Sequence, residues 1–104
     1  MRISFYIVSF SMLLFVISAC NKVPVACFEI KTPIDSIRVG KNIEFDAACS
    51  IDAQDYFWDF SNGLGGNTEY IITQFDTAGT YNVTLVAARG SKTQKNSKDI
   101  IVKP

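Results

Sequence analysis

Downstream of its first two dozen residues the chain alternates. Ile43-Glu44-Phe45-Asp46-Ala47 places apolar and acidic side chains at every other position, the pattern of a strand with one wet face. Tyr56, Trp58 and Phe60 recur with period two, so in a strand they share one side. Thr80 to Ala88 is rich in β-formers, with Tyr81, Val83 and Leu85 on one side. Val25 to Ile30 is apolar enough for a first strand, and Lys31-Thr32-Pro33 interrupts it. Ser36 to Val39 reads as a short edge piece and Thr68 to Phe75 as a further strand. Lys92 to Val102, polar and then apolar from Ile100, reads as a last edge strand. Gly40-Lys41-Asn42, Ser50 to Gln54, Asp76 to Gly79 and Arg89-Gly90-Ser91 are turns. Asn62-Gly63-Leu64-Gly65-Gly66-Asn67 is expected to be the most flexible stretch. Outside the N-terminus no segment sustains a 3.6-residue period. The pattern predicts an all-β sandwich of about seven short strands over residues 24–104, with a second layer covering the Trp58 side.

The N-terminus follows a different rule. Met1-Arg2 is a short positive start, Ile3 to Ile17 is apolar and uncharged apart from Ser4, Ser9 and Ser11, and Ser18-Ala19 precede Cys20. That order describes an export signal over residues 1–19. Ile17-Ser18-Ala19-Cys20 also resembles the bacterial lipobox, in which the peptidase cuts before the cysteine that takes the lipid. The resemblance implies an acyl anchor (palmitate or similar) on Cys20, a tether over 20–23, and a bacterial cell-envelope location, at the outer membrane on its periplasmic or surface face. The competing reading is a transmembrane span, for which the segment is short and interrupted by its serines.

Composition narrows the chemistry. The chain has 104 residues, enough for one small domain. Lys+Arg is 10 and Asp+Glu is 10, so no net charge draws it to nucleic acid. No His is present, which removes the commonest general base and transition-metal ligand. Charge is unevenly placed: Glu44, Asp46, Asp52, Asp55, Asp59, Glu69 and Asp76 form an acidic block, and Arg89, Lys92, Lys95, Lys98 and Lys103 a basic one. We expect complementary strands lying side by side with solvated charges. With Cys20 lipidated, Cys27 and Cys49 remain. In an oxidising compartment they either bridge or stay as buried thiols. Strict alternation sets Cys49 on the side of Ile43 and Phe45 but Cys27 opposite Phe28 and Ile30, so a bridge needs a bulge or an irregular first strand.

Three blocks in order resemble the PKD domain, an immunoglobulin-like module. The family's aromatic, spacer and Trp-Asp-Phe-Gly-Asp-Gly appears as Tyr56-Phe57-Trp58-Asp59-Phe60-Ser61-Asn62-Gly63. Val39-Gly40 with Ile43 to Ala47 is similar to its second strand, and Phe75 to Leu85 to its Ala-Gly-Thr-Tyr strand. The resemblance covers about Pro24 to Lys103. It implies a buried inter-sheet Trp58, a tyrosine-corner role for Tyr81, a tight turn at Gly79, and turn architecture from Asp59 through Phe60 to Gly63. Ser61-Asn62 departs from the family's Gly-Asp, so no metal-binding role is carried over.

Function follows by class. Family members mediate protein or carbohydrate contacts, and a non-catalytic binding or adhesion module with an unknown protein or carbohydrate partner, no cofactor and no metal is the reading favoured. Candidate contact residues are Phe57, which points away from the Trp58 side, and Tyr70 and Ile72, which share a side; packing under a loop is the competing expectation. A structural or accessory subunit of an envelope assembly is the alternative. Catalysis is disfavoured: Asp55 and Asp59 lie about 13 Å apart along a strand at ~3.3 Å per residue, beyond either glycosidase geometry. Asp35-Ser36-Ile37 and Asp76-Thr77-Ala78 resemble a bacterial O-glycosylation motif, while the sequon Asn82-Val83-Thr84 is read as coincidence. The first expected outcome concerns the anchor. Protein isolated from membranes should begin at Cys20 and carry acyl chains; an intact mass retaining residues 1–19 would rule this out.

Overall fold

The computed structural model describes residues 22–104. The expected export signal over residues 1–19, Cys20 and Asn21 lie outside the described residues. Seven strands form two antiparallel sheets. The smaller sheet has the order β1 (Glu29–Ile30), β2 (Ile43–Asp46), β5 (Tyr70–Thr73). The larger has the order β4 (Gly65–Gly66), β3 (Asp55–Asp59), β6 (Gly79–Arg89), β7 (Lys92–Val102). A single 3-10 turn, Ile34–Ser36, lies in the connection between β1 and β2. This is an immunoglobulin-like sandwich.

Alternation fixes what each sheet turns inward. In β2 Ile43 and Phe45 are buried while Glu44 and Asp46 are part-exposed. In β3 Trp58 is buried and Phe57 is not. In β6 Val83, Leu85 and Ala87 face in. The inner sides meet in a chain of rings. Phe28 meets Trp58 edge-on at 5.2 Å between centroids, and Phe45 lies 5.9 Å from Trp58. Phe60 is 5.0 Å from Phe45, Phe75 is 6.3 Å from Phe60, and Tyr81 is 4.4 Å from Phe75. Edge-on and tilted contacts suit the ring quadrupoles. The indole Nε1 donates to the Thr68 carbonyl at 2.6 Å, so burying Trp58 strands no polar atom.

Several expectations need correction. The Gly65-Gly66 segment is no loose turn; it pairs with Trp58 and Asp59 as an edge strand. Glycine is demanded there, because a Cβ on Gly65 would stand 2.3 Å from the Trp58 carbonyl oxygen. β6 and β7 are not short, running eleven residues each in one long hairpin. The first strand shrinks to two residues plus an isolated bridge from Val25 to Ile51. The Ser36–Val39 piece contributes only a parallel bridge, Arg38 to Lys103, at the end of β7. The acidic and basic blocks are neighbours only in part: β3, with Asp55 and Asp59, shares the larger sheet with the basic β7 but is separated from it by β6. β2 belongs to one sheet and β7 to the edge of the other, and among the described residues the ion pairs join Lys22 to Asp52, Lys31 to Glu29 and Lys103 to Asp35, none linking the two blocks.

Cys27 and Cys49 are bridged, with Cα atoms 5.3 Å apart. The face mismatch dissolves because neither cysteine is in a ladder. Cys27 precedes β1, and Cys49 sits in a turn past the end of β2, where the Ser50 amide donates to the Ala47 carbonyl. Ser50 then takes the ladder's place: its Oγ accepts from the Cys27 amide and donates to the Cys27 carbonyl. Closing this loop, 22 residues in separation, stabilises by about 3 kcal/mol on the chain-entropy account.

Gly65→Ala is expected to cost about 1–3 kcal/mol, since the clash is with backbone that cannot swing away. Urea unfolding followed by Trp58 fluorescence checks it; wild-type stability in the variant would refute the close approach.

Candidate functional site

Exposed side chains of the sequence motifs fall on two separate surfaces. Phe57, 50% exposed, lies on the outer side of the four-stranded sheet because its neighbours Tyr56 and Trp58 turn inward. Tyr70 and Ile72, about half exposed, lie on the outer side of the three-stranded sheet. None packs under a loop. The fold therefore sets Phe57 and the Tyr70–Ile72 pair on opposite faces of the sandwich.

On the larger sheet, register places Phe57, Val86 and Lys95 side by side in one row. The next row along is Asp59, Thr84 and Ser97, and the row on the other side is Asp55, Ala88 and Thr93. Beyond Thr84 the polar groups are already bonded to one another. Asn82 Nδ2 donates to Asp99 Oδ1 at 2.9 Å, Thr84 Oγ1 donates to Asn82 Oδ1 at 3.0 Å, and Thr84 and Ser97 hydroxyls are 2.8 Å apart. Ser61 Oγ donates to the Asn82 carbonyl at 2.6 Å. A half-exposed ring thus stands one row from the Thr84 and Ser97 hydroxyls and two rows from the Asn82 amide and Asp99 carboxylate, on the same side of the sheet. Asp55 and Asp59 are exposed on the same side as Phe57.

The β3–β4 hairpin explains the motif residues after Trp58. Asp59 Oδ1 accepts from the Ser61 amide at 2.9 Å, and Asn62 Oδ1 from the Leu64 amide at 2.9 Å. Phe60 is buried and its amide donates to the Leu64 carbonyl. Gly63 has φ of 84° and Ser61 a φ of 61°. A serine in the left-handed region carries strain that glycine avoids; its hydroxyl's bond to Asn82 offsets it. Gly79 opens β6 with φ of 155° rather than sitting within the turn. Tyr81 makes the corner: its hydroxyl donates to the Thr77 carbonyl four residues back, at 2.6 Å.

On the smaller sheet, Glu29, Asp46 and Tyr70 share a row and Glu44 pairs with Ile72. The Tyr70 hydroxyl donates to Glu44, and Lys31 Nζ bonds Glu29 at 2.9 Å. This surface is acidic and internally paired. Among the described residues no group of three or more His, Cys, Asp or Glu is placed to hold a metal ion.

One set of residues escaped the sequence reading. Gln94, Asn96 and Lys98 reach in from β7 to the backbone ahead of β1. The Ala26 amide donates to Gln94 Oε1 at 2.8 Å, Asn96 Nδ2 to the Ala26 carbonyl at 3.1 Å, and Lys98 Nζ to the Phe28 carbonyl at 2.7 Å. Lys98 also lies 4.9 Å from the centroid of the Phe28 ring, a cation–π contact. Counting back by twos from buried Ile100 puts all three on the inward side, a signal present in the sequence.

The comparisons agree with this geometry. A family model described as PKD domain matches residues 21–103. A structure of carbohydrate-binding modules from the β-sandwich superfamily aligns with a TM-score of 0.73 at 28% identity, over 80% of this chain and 35% of that one; this chain thus spans about a third of that protein. The PKD1 domain of Vibrio anguillarum Epp aligns at 0.66 with 27% identity, over 80% of this chain and 96% of that one. The PKD1 domain from the Vibrio cholerae metalloprotease PrtV aligns at 0.64 with 26% identity, over 80% and 100%. No curated protein matches the sequence.

Three groups predict alkaline lability. The bond to Glu44 holds the Tyr70 phenol above its ordinary 10.0, burial first and Glu69 second raise Tyr56 above 10.0, and the bond to Glu29 raises Lys31 above 10.5. In each case the folded state keeps its proton longer than the unfolded chain does, so stability is intact below those values and falls as pH rises past them. Unfolding midpoints should drop above a pH of about 10, and the drop should be shallower in Tyr70→Phe. A flat profile through that range would refute the assignment.

Proposed function

We propose, from the premise that this chain belongs to the PKD domain family, that it is a lipid-anchored, non-catalytic binding module of the bacterial envelope. Its lipid is carried on Cys20 and its domain begins at Pro24. Its ligand, a carbohydrate or a protein, meets the outer side of the four-stranded sheet. The observation that carries this is Phe57, half exposed in a row with Val86 and Lys95 and flanked by Asp55 and Asp59. A sugar ring has an apolar C–H face and a rim of hydroxyls; an exposed ring takes the first, and nearby carboxylates, amides and hydroxyls take the second. The likeness to carbohydrate-binding modules supports a carbohydrate, and the polar network supplies the donors and acceptors. A protein loop with an apolar anchor would use the same ring.

Tyr70 and Ile72, exposed on the opposite sheet, favour one second reading: an accessory subunit that contacts partners on both faces of the sandwich.

The test is retention of the purified protein on insoluble polysaccharides, peptidoglycan and envelope-protein resin. Phe57→Ala should weaken retention at least about tenfold, or ~1.4 kcal/mol, with the thermal midpoint unchanged. Retention insensitive to Phe57→Ala but lost in Tyr70→Ala/Ile72→Ala would move the site to the other sheet and favour the second reading.

A further inference from the structure

The sandwich has two unlike ends, and the tether enters at one of them. β1 and β3 run away from the tether end, β2 runs towards it, and the β6–β7 hairpin turns there at Arg89-Gly90-Ser91-Lys92. Val25 bridges Ile51 at this end, and Lys22 lies 3.8 Å from Asp52. The far end gathers the 3-10 turn, the Phe60–Leu64 hairpin and the β5–β6 turn.

Both ends leave apolar side chains uncovered, Ile34 and Leu64 among them at the far end; the tether is what selects the near one. Val23 is 52% exposed, Val25 43% and Ile51 58%, while Pro24 between the two valines is buried. At the same end Lys22 pairs with Asp52, Arg89 and Lys92 flank the β6–β7 turn, and Asp55 is exposed at the start of β3.

We infer that this end rests on the bilayer, with Val23, Val25 and Ile51 in the lipid headgroup region and the strands standing upright. The inference rests on the reading of Cys20 as the lipidated residue, and it deepens that reading. Covalent reach carries it. Only Asn21 lies between Cys20 and Lys22, so their Cα atoms, two steps apart, are at most ~7 Å from each other at ~3.6 Å per residue. The headgroup region of one leaflet is itself about 5–8 Å deep. A domain held that closely cannot stand clear of the headgroups, and its apolar tether end removes Val23, Val25 and Ile51 from water when it sinks into them. Arg89 and Lys92 add an attraction to anionic lipid of about 1 kcal/mol per cation near the surface, which the exposed Asp52 and Asp55 at the same end offset, so the apolar side chains and the tether carry the docking. Upright strands leave both sheet faces, Phe57 on one and Tyr70 on the other, open sideways to large ligands.

The experiment uses the lipidated protein in phosphatidylcholine–phosphatidylglycerol nanodiscs doped with a gadolinium-chelating lipid. Paramagnetic broadening is read at each backbone amide, and an intact mass reports the acyl chains separately. Broadening should be strongest at Val23, Val25, Ile51 and Gly90 and fall to baseline at Asp35, Gly63 and Thr77. Equal broadening at both ends, or a gradient towards the far end, overturns the docking while the acylated mass keeps the anchor. An unacylated mass sinks the anchor and the docking with it. Val25→Ser/Ile51→Ser should weaken the broadening at Ile51 and Gly90 while Val23, held by the tether, stays broadened, with acylation and Trp58 fluorescence unchanged; undiminished broadening at Ile51 and Gly90 in that variant overturns the role given to the apolar end.

Discussion

The structure depends on one buried indole that is satisfied on every side. Trp58 belongs to the four-stranded sheet, yet it contacts Phe28 and Phe45 from the opposing layer and stacks nearly parallel to Phe60, just past the end of its own strand, at 6.0 Å and 10°. Its single polar atom reaches the Thr68 carbonyl, in the link between the two sheets. One side chain thus fills the space between layers and ties the β4–β5 connection to the core. The requirement propagates outward. For that connection to cross at Trp58, β4 must lie hard against the tryptophan's backbone, and only glycine lets it. A domain this small is near the lower limit for a self-sufficient core, so a defect at the indole is shared by both sheets.

The other long edge is closed by different means. The segment from Ala26 to Phe28 makes no backbone ladder with β7, and its amides and carbonyls would be costly to bury unpaired. Gln94, Asn96 and Lys98 meet them with side chains. Ser50 does the same for Cys27, and the disulfide holds the pair covalently. The parallel bridge at Arg38 and Lys103 finishes the seam: the Val39 amide donates to the Lys103 carbonyl and the Lys103 amide to the Ile37 carbonyl, at 2.9 and 3.0 Å. A seam closed by side chains tolerates irregular backbone, which is why the first strand can be two residues long.

What the sequence made legible follows from where the information is local. Alternation at Ile43–Ala47, Tyr56–Phe60 and Thr80–Ala88 is imposed by strand geometry within a few residues, so the strands and their inward sides could be read directly. Tyr81 and Asp59 were readable because their partners lie four and two residues away. Long-range facts were not. The charge blocks suggested adjacent strands, but which strands are neighbours is decided by sheet order, and that put β2 and β7 in different sheets. Gly65-Gly66 reads as a breaker because glycine usually supplies freedom; here its use is smallness. The cysteine pairing stayed open because period two was extended past the end of β2 into a turn where it no longer applies.

The location of the exposed ring has a further consequence for recognition. Phe57 sits in the middle of a strand paired on one flank with β6, between two residues locked into the core. Its backbone is already ordered, so a ligand meeting it orders few side chains and no loop, which is the usual drain on affinity. The Thr84 and Ser97 hydroxyls one row away, and the Asn82 amide and Asp99 carboxylate a row beyond, are already bonded to one another. A partner must match their donor and acceptor pattern or leave them desolvated and unpaired, a penalty of about 1–3 kcal/mol for each such group. On the proposed reading, discrimination on this face would come from the ordered polar network and attraction from the ring.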